Sequence, residues 1–337
     1  MAIIDKPSDY FNTVLYTGNA STLNITGLDF QPDLCWLKIR SAADNHALFD
    51  SVRGVKKRIA SNLTAAEINR ATALTSFNSD GFTLGDNSET NAPSGTYASW
   101  NWKAGGSASS NSNGSITSSV SASTDAGCSI VTVANVGSAN FTFGHGLGVA
   151  PSWVLAKSRD GGKWNNYFKS LGAGYTIQLP ETGAKISNTA IWQNTNPTSS
   201  VVYSNGDQLD ANESYVFYCF ADVQGYSKFS SYTGNGSTDG TFVYTGFKPA
   251  FVIQKSTASG NWRMYDNKRL GYNPDQNALI PNANSVAETN NEVDLLSNGF
   301  KFRTADGQIN GSGVSYIYMA FAENPFVTST AIPACAR

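Results

Sequence analysis

The segment Pro249-Ala-Phe-Val-Ile-Gln-Lys255 sets the architecture of this chain, because it occurs in three versions. The other two are Pro32-Asp-Leu-Cys-Trp-Leu-Lys38 and Pro151-Ser-Trp-Val-Leu-Ala-Lys157. Proline cannot donate a hydrogen bond within a sheet, so it is confined to the start or the edge of a strand. The apolar and aromatic residues that follow it are typical of a strand. We therefore predict three internal repeats, each with one such strand.

A second landmark closes each repeat with an aromatic-rich strand, which in the third repeat is apolar on both faces. Its three versions are Tyr97-Ala-Ser-Trp-Asn-Trp102, Tyr215-Val-Phe-Tyr-Cys-Phe220 and Tyr316-Ile-Tyr-Met-Ala-Phe321. Between the two landmarks, Asp-Gly or Asn-Gly dipeptides indicate tight turns. The pattern predicts an all-β fold of three tandem units of about 95 residues. Each unit is expected to be a small antiparallel β-sandwich, lectin-like or jelly-roll-like, although the units could also share sheets.

The spacing of the landmarks divides the chain into five parts. Unit 1 covers residues 1–105, unit 2 covers 127–225 and unit 3 covers 226–325. Residues 106–126 are rich in Gly, Ser and Asn, which predicts a flexible linker, with room for a short edge strand. Residues 326–337 contain a proline and no helical period, and are expected to form an extended C-terminal arm.

The composition excludes several classes of protein. Charged residues make up 14% of the 337 residues, and the net charge is −2. A typical charged fraction is about 25%. There is no basic surface pattern for nucleic acid, no apolar run long enough for membrane insertion, and no signal peptide at the N-terminus. The four cysteines lie far apart without zinc spacing, so we predict no metal and no cofactor.

Two carboxylates recur together with an arginine three residues later. These are Asp50 with Arg53 and Asp266 with Arg269, whereas unit 2 has no acid at this position. A glycosidase needs two carboxylates that flank one bond. Neither histidine accompanies a nucleophile motif. We therefore favour structural ion pairs over catalytic acids, and predict a protein without catalytic residues.

Aromatic residues are the remaining candidates for ligand binding. Trp164 and Trp262 both lie seven residues beyond the repeated lysine. Trp192, Tyr175 and Tyr272 lie in segments that do not repeat. Aromatic faces stack on the C–H groups of sugars, so these five residues are candidate glycan contacts. The alternative is that the repeated tryptophans belong to the core.

Several longer blocks resemble a family of repeat-containing virion proteins. The blocks are Asp50-Ser-Val-Arg-Gly54, Thr75-Ser-Phe-Asn-Ser-Asp-Gly-Phe82, Thr96-Tyr-Ala-Ser-Trp-Asn-Trp-Lys-Ala-Gly105 and Met319-Ala-Phe-Ala-Glu-Asn-Pro-Phe326. They are similar to tail-fibre-like or structural proteins of tailed bacteriophages that infect marine bacteria and cyanobacteria. The resemblance implies an all-β protein, exposed on the particle surface and oligomeric. It supplies no catalytic residues.

Three functions are compatible with these observations. The leading hypothesis is a non-enzymatic fibre or adhesin subunit of a phage tail, forming a homo-oligomer with a trimer favoured. Its partners would be itself, other virion proteins and a host-surface glycan, and it would be made in the host cytoplasm. The second hypothesis is a capsid decoration or head-fibre protein. The third is a polysaccharide depolymerase.

Overall fold

Strands account for nearly all regular structure in the computed structural model, which describes residues 4–326. The all-β prediction is confirmed. Among these residues the helical segments are a 3-10 turn at Pro7–Asp9 and two single turns, α1 (Ser88–Asn91) and α2 (Gly206–Leu209). No helix in the described range has the length and apolarity needed to span a bilayer. The predicted arm, apart from Phe326, lies outside the described residues.

The strands are numbered in chain order. Those of residues 1–105 are β1 (Phe11–Thr17), β2 (Leu23–Ile25), β3 (Leu34–Ile39), β4 (Ala47–Asp50), β5 (Lys57–Arg58), β6 (Ile68–Asn69), β7 (Leu74–Asn78), β8 (Gly81–Leu84) and β9 (Thr96–Trp102). Those of residues 106–225 are β10 (Ser109–Asn111), β11 (Ser118–Ser123), β12 (Cys128–Val133), β13 (Asn140–Gly144), β14 (Trp153–Ser158), β15 (Trp164–Phe168), β16 (Tyr175–Gln178), β17 (Ile186–Ser187), β18 (Val201–Asn205) and β19 (Tyr215–Phe220). Those of unit 3 are β20 (Ser227–Thr233), β21 (Phe242–Tyr244), β22 (Phe247–Ser256), β23 (Arg263–Asp266), β24 (Asp275–Ala278), β25 (Glu288–Leu296), β26 (Gly299–Phe302) and β27 (Ser315–Pro325).

One antiparallel strand order occurs in all three units. It is β1-β9-β3-β4 in unit 1, β12-β19-β14-β15 within the eight-stranded sheet of unit 2, and β20-β27-β22-β23 in unit 3. In every case the strand that follows the repeated proline pairs with the closing strand. The two sequence landmarks of each unit are therefore neighbours in the same sheet.

A smaller sheet packs on one face of each of these sheets. The smaller sheets are β2-β8-β7, β13-β18 and β21-β26-β25-β24. Each pair of sheets encloses a core of its own, as where Cys35 and Leu37 of β3 join the same cluster as Phe82 and Leu84 of β8. The arrangement within each unit is thus two-layered and sandwich-like.

The opposite faces of the three main sheets meet in one central core. Phe251 and Ile253 of β22 point into this core, whereas Val252 between them points into the core of unit 3. Trp36 of unit 1 and Trp153 of unit 2 join the same central cluster. Since both faces of each main sheet are buried, its strands have apolar residues at consecutive positions. The three units therefore form one body around a shared aromatic centre.

The segment predicted as a flexible linker is part of a sheet. Its strands β10 and β11 extend the sheet of unit 2, with β11 paired to β12. A Cβ atom on the preceding Gly105 would lie 2.5 Å from the carbonyl oxygen of Ala122, so the chains approach each other too closely for a larger residue. Within the segment, a Cβ atom on Gly114 would lie 2.5 Å from the Thr142 carbonyl oxygen. The strands β10 and β11 confirm the expectation of an edge strand here, and the flexible-linker interpretation is wrong for them.

Candidate functional site

The repeated lysine is buried in all three units. Lys38, Lys157 and Lys255 are each less than 2% exposed. Their ammonium groups donate to main-chain carbonyls, as Lys255 Nζ does to Ser256 and Ala258, both at 2.9 Å. Burial lowers the pKa of each lysine from 10.5 to about 8. These lysines hold loops in place and do not reach the surface.

A cyclic set of hydrogen bonds links the units across the central core. The ring N–H of Trp164 in unit 2 donates to the Ala60 carbonyl of unit 1 at 2.8 Å. Trp262 in unit 3 donates in the same way to the Gln178 carbonyl of unit 2 at 3.1 Å. Strand registers place Ala60 and Gln178 at equivalent positions. Each tryptophan therefore joins its own unit to the preceding one.

His46 occupies the corresponding position in unit 1. Its Nδ1 accepts a hydrogen bond from the indole of Trp36 at 2.8 Å, so Nε2 carries the proton and donates to the Ile280 carbonyl of unit 3 at 3.1 Å. Burial holds the pKa of His46 well below its usual value, which keeps the ring neutral. This bond completes the cycle of three junctions, and His46 has a structural role.

The tryptophans proposed as glycan contacts are all inside the protein. Trp164, Trp192 and Trp262 are at most 1% exposed. Trp164 and Trp262 belong to the central core and Trp192 to the core of unit 2. The core alternative given for Trp164 and Trp262 is therefore correct, and the assignment of all three tryptophans as glycan contacts is wrong.

The repeated carboxylates form buried ion pairs. Arg53 Nε lies 2.5 Å from Asp50 Oδ2, and Arg269 Nε lies 2.5 Å from Asp266 Oδ2, with all four side chains at most 1% exposed. In each pair the arginine main-chain N–H also donates to the aspartate. The carboxylates are already fully engaged within the protein, as the structural interpretation requires.

Each aspartate also accepts a hydrogen bond from the closing strand of another unit. Tyr218 Oη donates to Asp50 at 2.7 Å, and Trp100 Nε1 donates to Asp266 at 3.0 Å. At the third junction the equivalent positions are Phe168 and Met319, both apolar residues of the central core. At this junction unit 2 therefore has no acidic residue, and the closing strand of unit 3 has no hydrogen-bond donor to face it.

The histidine and cysteine side chains of residues 4–326 are all buried. No group of three or more His, Cys, Asp or Glu side chains in that range is placed to hold a metal ion. His145 is buried, with its two ring nitrogens bonded to the Thr198 carbonyl and the Leu147 N–H. Cys35 and Cys219 are buried as predicted, and burial raises their thiol pKa values.

Exposed aromatic side chains are concentrated in one part of the molecule. Within the described range, the large aromatic residues with the most exposed surface are Phe242, Tyr244, Tyr272 and Phe326, and all lie beyond residue 241. Tyr175, in unit 2, is half-buried and has Lys185 Nζ 4.2 Å from its ring centre. Of the five predicted glycan contacts, only Tyr272 is strongly exposed, at 66%.

The larger of two concave surfaces beside these aromatics is named the Tyr244 groove. It has a volume of about 440 Å³, and its lining includes Tyr244, Phe326, Gln224 and Lys228. Asp222 also lines it, but the two oxygens of that carboxylate accept hydrogen bonds from Ser152 and from the Phe229 N–H. No sequence motif or repeat identifies this groove, because its lining residues come from separate segments of the chain.

The smaller surface is named the Tyr272 cavity. It has a volume of about 270 Å³ and is lined by Lys248, Asp266, Asn267, Gly271, Tyr272, Asn273 and Leu295. Gly271 has a φ of +82°, a conformation that favours glycine and turns the chain just before Tyr272. The Asn273 amide bonds both main-chain groups of Leu295 at 2.9 Å, which fixes the loop.

Comparison with known proteins assigns the chain to a family but not to a function. Residues 6–325 match the family described as "Domain of unknown function (DUF7483)", so the chain belongs to that family. No curated protein matches the sequence.

Proposed function

We propose that this chain is a non-enzymatic structural protein of a bacteriophage virion, a tail fibre or adhesin subunit whose unit 3 binds host-surface glycans. The observation that carries the proposal is the concentration of exposed aromatic side chains in and just after unit 3, three of which line two concave surfaces. Aromatic rings offer flat apolar faces for the C–H groups of sugars, and nearby amides and hydroxyls bond the sugar hydroxyls. The phage assignment rests on the sequence resemblance.

The shared core supports a role in display. All three main sheets contribute to the central cluster, and hydrogen bonds between side chains and main chain cross each junction. A body of this kind holds its surface loops in fixed relative positions. Loops held on a rigid scaffold bind with a smaller loss of conformational entropy.

The bonding of the recurrent acids argues against a depolymerase. Retaining and inverting glycosidases use two carboxyl groups that reach one glycosidic bond. Asp50 and Asp266 are buried and bonded to arginines, and Asp222 in the Tyr244 groove already accepts two hydrogen bonds. Release of reducing sugars from host polysaccharide by the purified chain would refute the non-enzymatic proposal.

Binding of the purified full chain to host cells and to their lipopolysaccharide tests the proposal. The test variant replaces Phe242, Tyr244, Tyr272 and Phe326 by serine, and should lose at least ten-fold in apparent affinity. The control replaces the similarly exposed aliphatic residues Ile186 and Val286 by serine, and should bind like the wild type. Absence of wild-type binding, or equal binding by the aromatic variant, would refute the glycan role.

Two further measurements address the place and assembly of the chain. Labelling of intact particles with an antibody against the chain should mark the tail. Labelling of the head would favour the alternative, a capsid decoration or head-fibre protein. Light scattering of the purified chain should show a homo-oligomer, with a trimer as the proposed state, and a monomer would refute that part.

A further inference from the structure

We infer that the Tyr272 cavity is a binding site for a single neutral hexopyranose ring. The inference deepens the proposed function and rests on it, since it names the ligand class at one of the two concave surfaces. It is argued from four properties of the cavity: its size, its unpaired amide, its balanced charges and its preformed wall.

Size limits the ligand to one ring. The cavity volume is about 270 Å³. This equals the bulk volume of roughly nine water molecules at about 30 Å³ each. Larger pockets that enclose drug-sized ligands begin at about 300 Å³. A longer saccharide would have to extend from the cavity onto the surface beside exposed Tyr272.

The side chain of Asn267 supplies an unused hydrogen-bonding group. Its Oδ1 is buried and receives no hydrogen bond from any residue in the described range. A buried acceptor without a donor is unfavourable by about 1–3 kcal/mol. This oxygen has almost no solvent-exposed surface, so the side chain has to rotate before its oxygen and its amide N–H₂ can bond the hydroxyls of a sugar. Asn267 is thus suited to a polyhydroxylated ligand.

The charges at the cavity favour a neutral ligand. Lys248 Nζ lies 2.7 Å from Glu323 Oε2, and Asp266 lies 2.5 Å from Arg269 Nε. Each charged group of the lining therefore already has a partner of opposite charge. An acidic or basic sugar would have to compete with one of these pairs, whereas a neutral ring would not.

The aromatic wall is held in place before any ligand binds. Asn273 bonds both main-chain groups of Leu295, and Gly271 forms the turn on the other side of Tyr272. The ring of Tyr272 remains 66% exposed and free to stack on a sugar. A preformed wall reduces the entropy lost on binding.

The experiment uses saturation-transfer NMR and calorimetry with the full chain. The probes are the methyl glycosides of glucose, galactose and mannose, with N-acetylneuraminic acid as the acidic comparison. At least one neutral glycoside should bind with a dissociation constant on the order of 1 mM, as expected for a ligand this small. Tyr272→Ala should weaken binding at least ten-fold, and Asn267→Ala about three- to ten-fold.

Two control variants separate this site from its surroundings. Lys268→Ala changes an exposed neighbour that does not line the cavity, and Ile186→Ala removes an exposed aliphatic side chain of unit 2. Both should bind the neutral glycosides like the wild type. Thermal melts check that Tyr272→Ala and Asn267→Ala remain folded.

The outcomes distinguish this inference from the proposed function. Binding of none of the neutral glycosides, binding of the acidic sugar alone, or binding unaffected by Tyr272→Ala would overturn the inference. If host surfaces still bind the wild-type chain, the proposed function stands without this site. If a neutral glycoside binds as described but host surfaces do not, the cavity assignment stands and the attachment role fails.

Discussion

Replacing Lys255 by methionine should remove a pH-dependent part of the stability of this protein. The side chain is buried, and its ammonium group donates only to two main-chain carbonyls at 2.9 Å. Burial lowers its pKa from 10.5 to about 8. Between these two pH values the unfolded chain holds the proton and the folded chain does not. The free energy of unfolding therefore rises with pH across this window.

The magnitude follows from the same two pKa values. A lowering from 10.5 to about 8 corresponds to at most about 3 kcal/mol over the whole window. Between pH 7 and pH 9.5 the linkage relation gives about 2 kcal/mol. At pH 7 the free energies of unfolding of the variant and the wild type should differ by no more than about 2 kcal/mol. Removing the buried charge stabilises the variant, whereas the two carbonyls that lose their hydrogen-bond donor destabilise it.

The assay is guanidinium unfolding of the wild type and Lys255→Met at several pH values from 7 to 9.5. Buried thiols and phenols act in the opposite direction, as burial raises the pKa of Cys219 to about 12. Their contribution is common to both proteins and cancels in the difference. That difference should grow by about 2 kcal/mol in favour of the wild type as pH rises.

A matched control and a clear refutation accompany this measurement. Lys268→Met changes an exposed lysine of the same unit, and its unfolding at the same pH values serves as the surface control. A pH-independent difference for Lys255→Met would refute the reasoning. It would mean that the buried ammonium group titrates as in the unfolded chain.

Three further substitutions test the interior of the molecule. Asp266→Asn should lower the free energy of unfolding by about 3–5 kcal/mol, because Arg269 becomes a buried unpaired cation. Urea unfolding measures this difference, and a variant as stable as the wild type would contradict the prediction. Trp262→Phe removes the hydrogen bond to the Gln178 carbonyl and should cost about 1–3 kcal/mol, seen as a lower melting temperature, with no change as the contrary result. Gly18→Ala would place a Cβ atom 2.1 Å from a main-chain oxygen and should cost about 1–3 kcal/mol or prevent folding, whereas an unchanged melting temperature would show that the neighbouring loop can move away.

Local features of the fold were predictable from the sequence. The repeated prolines mark the strands that pair with the closing strands; these begin shortly after Pro32 and Pro151, whereas β22 runs through Pro249. The closing strands are rich in aromatic and apolar residues because both of their faces are buried. The ion pairs of Asp50 and Asp266 were predictable because an arginine lies three residues after each aspartate. Each of these signals lies within a few residues of the structure that it predicts.

Features that depend on contacts between units were not predictable in the same way. A repeated tryptophan such as Trp164 has the same sequence pattern whether it faces solvent or a second sheet. It is buried here because the three main sheets pack together in a shared core, and that packing is not visible in the sequence. The composition of segment 106–126 does not distinguish a flexible linker from the paired strands β10 and β11, because small residues suit both. Phe242 and Tyr244 alternate with buried Val243, but a period of two does not say which face is exposed.

The closed ring of three units has a consequence for valency. A homotrimer of one unit would present three copies of every surface, whereas this chain presents one Tyr272 cavity for three units. Units 1 and 2 complete the shared core and leave the third unit to carry the exposed aromatics. A site with millimolar affinity holds a particle firmly only when several copies bind together, since linked sites gain from effective concentration. On the proposed function, the strength of attachment is set by the number and spacing of chains on the particle.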